Sequence, residues 1–201
     1  WYAGEQQGRT LADILLGKVN PSGKLNVSFP RSTGNTPCFY NHFVTDREEP
    51  FDQPGTPEEP KGHYIFDKPE PLWNFGHGKS YTTFDYVDCA LSDTLLAASD
   101  TLKVSVMIKN TGRCDGKEVV QLYVRDKVST VATPIQQLKA FQKVLVKSGE
   151  SQCVELSLPI AELALYNAKM EEVVEPGDFE IQIGAASDDI RFKKTITINR
   201  K

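Results

Sequence analysis

The chain has 201 residues, enough for one or two domains with real cores. Apolar residues make up 39% and charged residues 25%, the balance of an ordinary globular protein. A net charge of −4 with no basic run argues against nucleic acid or an anionic membrane as a partner, and no apolar stretch is long enough to span a bilayer. The first residue is Trp1 rather than Met, so the chain is expected to begin inside a larger protein.

Residues 1–30 read as a fragment of an α/β layer. Leu11, Ile14, Leu15 and Leu16 recur near the helical period, and Gly17 stands where a left-handed cap would stop the helix. Asn20-Pro21-Ser22-Gly23 is a turn sequence. Lys24 to Phe29 alternates polar and apolar residues and predicts a half-buried strand that Pro30 ends. Glu5 lies just before the helix, where the dipole favours a carboxylate without any catalytic role.

Residues 31–83 form a long proline-rich stretch and an elbow. The stretch carries too many aromatics, among them Phe39, Tyr40, Phe43, Tyr64 and Phe66, for a disordered linker. It predicts an ordered strap that packs on its neighbours. The elbow Trp73-Asn74-Phe75-Gly76-His77-Gly78-Lys79-Ser80-Tyr81-Thr82-Thr83-Phe84 pairs two glycines with four large aromatics and predicts a rigid, buried joint.

From Phe84 the pattern is all-β. About seven alternating runs are separated by turn signals, as in an immunoglobulin-like sandwich over 84–201. They are Phe84 to Leu91, Thr101 to Asn110, Glu118 to Arg125, Gln136 to Val146, Ser151 to Leu158, Asp178 to Gly184 and Arg191 to Ile198. Ile160 to Tyr166 reads as a short crossing, helix or loop. Cys38, Cys89, Cys114 and Cys153 form no Cys-x-x-Cys, and His42, His63 and His77 have no metal-ligand spacing. Two disulfides or four thiols both fit; frequent burial of cysteine as a small hydrophobe favours thiols.

The elbow resembles the Pro-Phe-Gly-x-Gly-Leu-Ser-Tyr-Thr-x-Phe signature of glycoside hydrolase family 3, the β-glucosidase and β-xylosidase family. It departs at Lys79, where Leu is usual, and at Asn74, where Pro is common. Trp1 to Gly8, Ala12 to Gly17 and Asn20 to Pro30 are similar to stretches that close the family's α/β sandwich domain. Gly62 to Asp67 looks like a variant of Gly-Tyr-Arg-Tyr-Tyr-Asp, with no basic residue at the Arg position. Val119 to Val124, Leu138 to Val144 and Glu175 to Phe179 are similar to the fibronectin type III-like domain that ends many members.

The resemblance implies a mainly β fold: a fibronectin type III-like β-sandwich preceded by a fragment of an α/β sandwich domain. It implies a parent that cleaves terminal non-reducing β-linked sugars with retention and needs no cofactor. Retention needs two carboxyl groups about 5–5.5 Å apart. In the family both lie upstream of the stretches matched here, so no catalytic residue is assigned to this chain. Its expected partners are the upstream catalytic domains of the same protein and, in the parent, an oligo- or disaccharide. Tyr40, His42, Tyr64 and Trp73 are the candidates for the rim of the sugar site. Self-association through the apolar side of residues 1–30 is a further expectation, as is a periplasmic or secreted location. The alternative function is an independent carbohydrate-binding or adhesion module built on the sandwich.

Overall fold

In the computed structural model, residues 4–43, 56–58, 68 and 70–199 are described. The chain opens with helix α1 (Gln7–Leu15). Gly17, at φ +69°, turns the chain out of the helix. Among the described residues ten strands follow: β1 (Phe84–Leu91), β2 (Leu95–Leu96), β3 (Thr101–Asn110), β4 (Gly116–Asp126), β5 (Gln137–Val146), β6 (Ser151–Pro159), β7 (Leu165–Tyr166), β8 (Glu172–Val173), β9 (Gly177–Ala186) and β10 (Asp189–Ile198).

Two antiparallel sheets make the sandwich. One has the order β1-β3-β6; the other has the order β2-β10-β9-β4-β5, with β2 parallel to β10. The core is written by period-two alternation. Leu102, Val104, Val106 and Ile108 of β3 face Val120, Leu122, Ile181, Ile183 and Ile196 of the other sheet, and all nine are fully buried. Burial of a side chain of this size stabilises the fold by about 1.5–3 kcal/mol. All seven expected runs are strands. The short strands β2, β7 and β8 escaped the pattern, because two residues carry no period. Ile160–Leu163 is a single 3-10 turn leading into the β7–β8 hairpin.

Among the described residues four register shifts interrupt the ladders, one of them leaving Ala185 of β9 unopposed beside Asp189 and Ile190. On β1 the register slips between Tyr86 and Asp88, leaving Val87 as an extra, exposed residue. On β5 it slips at Lys139, whose ammonium donates to Glu162 O at 2.7 Å. On β10 it slips at Arg191. Such bulges re-aim a side chain and increase the local twist.

The region before Phe84 is built differently. Among its described residues only Asn35, Gly76 and Thr82 are buried, and none is apolar. Leu11, Leu15 and Leu16 on α1 are 53%, 73% and 70% exposed. The expected strand at Lys24 to Phe29 is not a regular strand. The segment is extended, and its backbone bonds to the elbow and its approach at two places. Leu25 N donates to His77 O, and Gly76 N to Leu25 O. Phe29 exchanges bonds with Leu72 and Trp73, and a bend at Asn26 and Val27 breaks the ladder between. Alternation predicted the extended backbone; it said nothing of a neighbouring strand to complete a sheet. The elbow is less buried than expected too, with Trp73 45% and Tyr81 51% exposed.

Candidate functional site

The strap and the sandwich enclose a cleft of about 870 Å³. Tyr40 is its anchor. The Tyr40 ring stacks on Phe75 at 4.1 Å between centroids and meets the fully buried Tyr123 edge-on at 5.9 Å. Its hydroxyl accepts from Leu138 N at 3.2 Å. His42 lines the same cleft, and its carbonyl accepts from Ile135 N at 2.9 Å, tying the strap to the segment before β5. Trp73 stands apart from the cleft, packed edge-on against Phe29 and parallel to His77. The structure therefore brings Tyr40 and His42 together and separates Trp73 from them. Tyr64 and the Gly62 to Asp67 stretch lie outside the described residues.

Glu70 and Asp188 are the carboxylates lining the cleft, and Asp188 Oδ2 accepts from Asn74 Nδ2 at 2.7 Å. Asp126 is the one described carboxyl whose pKa is raised, mainly by burial, but the small cavity beside it holds Lys139 and no second carboxylate. Burial in turn lowers the pKa of Lys139. Asp93 and Glu175 shift the other way, held ionised by hydrogen bonds from backbone N–H groups and, for Glu175, from Thr130. Among the described residues no group of three or more His, Cys, Asp or Glu is placed to hold a metal ion. All four cysteines are free thiols, and burial raises the pKa of Cys38 and Cys89.

The elbow joins the two regions through close backbone approach and buried polar contacts. Gly76 has φ +82°, and a Cβ there would overlap Gln121 Oε1 and lie 3.0 Å from Ala186 Cα. At Gly78 a Cβ would sit 2.5 Å from Gly23 O. Only glycine fits both places. Gln121 donates to Ala185 O at 2.5 Å and accepts from Tyr123 Oη at 2.6 Å. Asn20 donates to Asp115 O and accepts from Ser80 Oγ and Tyr81 N. Asn110, fully buried, donates to Cys114 O and Val146 O and accepts from Thr82 Oγ1 and Gly112 N. Lys24 pairs with Glu118 at 3.0 Å, side chains 17% and 8% exposed.

Sequence reasoning missed this set. Its signal was present: Glu118 and Gln121 are polar residues inside the apolar run of β4, whose both faces are covered.

Residues 1–81 match the glycosyl hydrolase family 3 C-terminal domain, and residues 118–187 match the fibronectin type III-like domain. The chain is a C-terminal region of glycoside hydrolase family 3. A β-xylosidase of Formosa agariphila is 40% identical over 100% of this family 3 chain and 26% of the relative. The periplasmic β-glucosidase of Salmonella typhimurium is 38% identical over 95% of the chain and 25% of the relative. The crystal structure of a β-glucosidase from Listeria innocua in complex with glucose superposes with a TM-score of 0.86 at 37% identity, over 100% of the chain and 27% of that protein. This family 3 region thus spans about a quarter of the length of the relatives it matches. No described helix is long and apolar enough to cross a membrane.

Proposed function

We propose that the chain is the non-catalytic C-terminal buttress of a retaining β-glucosidase-like hydrolase. The parent hydrolyses terminal non-reducing β-linked sugars, and this region steadies the domain that carries the acid/base. The organisation is 1–30 as the end of an α/β sandwich domain, 31–83 as strap and elbow, and 84–201 as the fibronectin type III-like sandwich.

The observation that carries the reading is the two-sidedness of the first region. One side is pinned to the sandwich by Asn20, Lys24 and Gly76. Away from the elbow, α1 presents Leu11, Leu15 and Leu16 to solvent, an apolar surface suited to the upstream domains of the same protein or to a second copy. On this reading Tyr40 and His42, which line the cleft, are candidates for the rim of the parent's sugar site, as are Tyr64 and Trp73. The periplasmic relative supports an exported parent.

The test is hydrolysis of aryl β-glucosides and β-xylosides by this 201-residue chain and by its full-length parent. Turnover by the parent alone is expected. Turnover by the chain itself overturns the reading and makes Glu70 and Asp188 the first residues to replace. Sedimentation of the chain tests the exposed face: a strict monomer that binds no hydrophobic dye removes it as an interface.

A further inference from the structure

A second cavity, about 370 Å³, opens at the junction of the two regions, apart from the cleft that holds Tyr40 and His42. Three lysines from three separate segments line it: Lys24 after the turn at Ser22, Lys79 in the elbow and Lys117 at the start of β4. Arg191, the extra residue of the β10 bulge, is the fourth cation. The close approach of Gly78 to Gly23 O brings the first two segments together, so Lys79 and Lys24 leave neighbouring backbones.

Two carboxylates share the cavity, and both are already neutralised. Glu118 is paired with Lys24 at 3.0 Å, and Asp189 with Arg191 at 2.5 Å. The guanidinium is held further by the Tyr86 ring, 5.7 Å from its centroid. The Tyr86 hydroxyl lies near Glu118 Oε1 and Gly184 O, at 3.4 and 3.3 Å. Lys79 and Lys117 have no carboxylate partner among the described residues. Two ammonium groups are therefore left over in one concave site of a chain whose net charge is −4. Concavity matters, because low-dielectric walls focus the field of like charges into the opening.

We propose that this junction cavity binds an oxyanion group carrying two negative charges, of the phosphate or sulfate class, through Lys79 and Lys117. The paired Lys24–Glu118 and Arg191–Asp189 groups form its floor and fix its shape. The anion is either free or borne on a sugar, and it bridges the elbow to β4.

The experiment uses the 201-residue chain, labelled for NMR, with inorganic phosphate and then glucose 6-phosphate titrated in at constant ionic strength. Saturable shifts of the Gly78, Lys79, Lys117 and Arg191 amides are expected. Lys79→Met and Lys117→Met keep the apolar stems, and each should weaken binding about tenfold, as loss of one hydrogen bond to a charged group does. Lys143→Met, on the exposed face of β5, should change nothing. Equal affinity for the two probes identifies a free anion, and tighter binding of the sugar phosphate a sugar-borne one; both support the site. Shifts that stay linear in phosphate, or that persist unchanged in the Lys79→Met/Lys117→Met double variant, overturn it.

Discussion

The sandwich and the region before it are stabilised by different physics. Between Cys89 and Ile198 twenty buried apolar side chains form one cluster, and the sheets supply nearly every backbone partner. Between residues 4 and 83 no described apolar side chain is buried, and order comes from contacts with the sandwich. A β-sheet with one apolar face can complete its own core; a helix and one extended segment cannot. The first region is held in place, whereas the second holds itself.

Substitutions can separate the two. Leu102→Ala, in the centre of β3, should cost about 2–5 kcal/mol in urea unfolding, since it opens a cavity in a closed core. A loss near zero would show that the core is not the source of stability. Gly76→Ala forces a side chain into the left-handed region and against Gln121, worth about 1–3 kcal/mol. That loss should appear as faster proteolysis of residues 4–30 with an unchanged sandwich Tm. A parallel fall in Tm would make the two regions one cooperative unit.

Tyr86 gives a pH handle on the joint. Burial, then the nearby Glu118 and Asp189 charges, pushes its hydroxyl well above the usual tyrosine range. Below about pH 10 both folded and unfolded chains keep the proton, and its contribution is intact. Above that the unfolded chain ionises while the folded one does not, so stability falls by ~1.4 kcal/mol per pH unit for this group. Tyr86→Phe should flatten the alkaline limb of the urea-midpoint profile by that slope; an unchanged limb would mean the ring is solvated. The smallest effect is expected on α1. Leu15→Ala, 73% exposed, should change stability by less than about 0.5 kcal/mol while reducing dye binding.

The same contrast decided what the sequence disclosed. Thr101 to Asn110 alternates without a fault, and alternation is a local property, so β3 and its fellows were legible. Lys24 to Phe29 alternates as well, yet regular pairing depends on a neighbour, and the described backbone bonds to the elbow fall at Leu25 and Phe29 with a bend between. The Gly76-x-Gly78 spacing marked a tight turn, and Gly76 takes φ +82°. What pressed on those glycines, Gln121 and Gly23 O, lies 45 and 55 residues away in sequence and left no local trace. Of the rim candidates, aromatic content pointed to Tyr40 but could not say that its ring would be occupied by Phe75 and Tyr123.

The extra residue Val87 on β1 has a consequence beyond the strand itself. β5 and β6 lie side by side and close one flank of the sandwich, which leaves β1 and the two-residue β2 on the other. An open strand edge is a template on which a stranger's backbone can add rung after rung into a fibre. Here one edge is kinked at Val87; on the other, β2 covers β10 only at Thr197 and Ile198, and the bulge at Arg191 interrupts the rest of that edge. A sandwich with blunted rims can be crowded against other domains, or against copies of itself, without seeding a fibril.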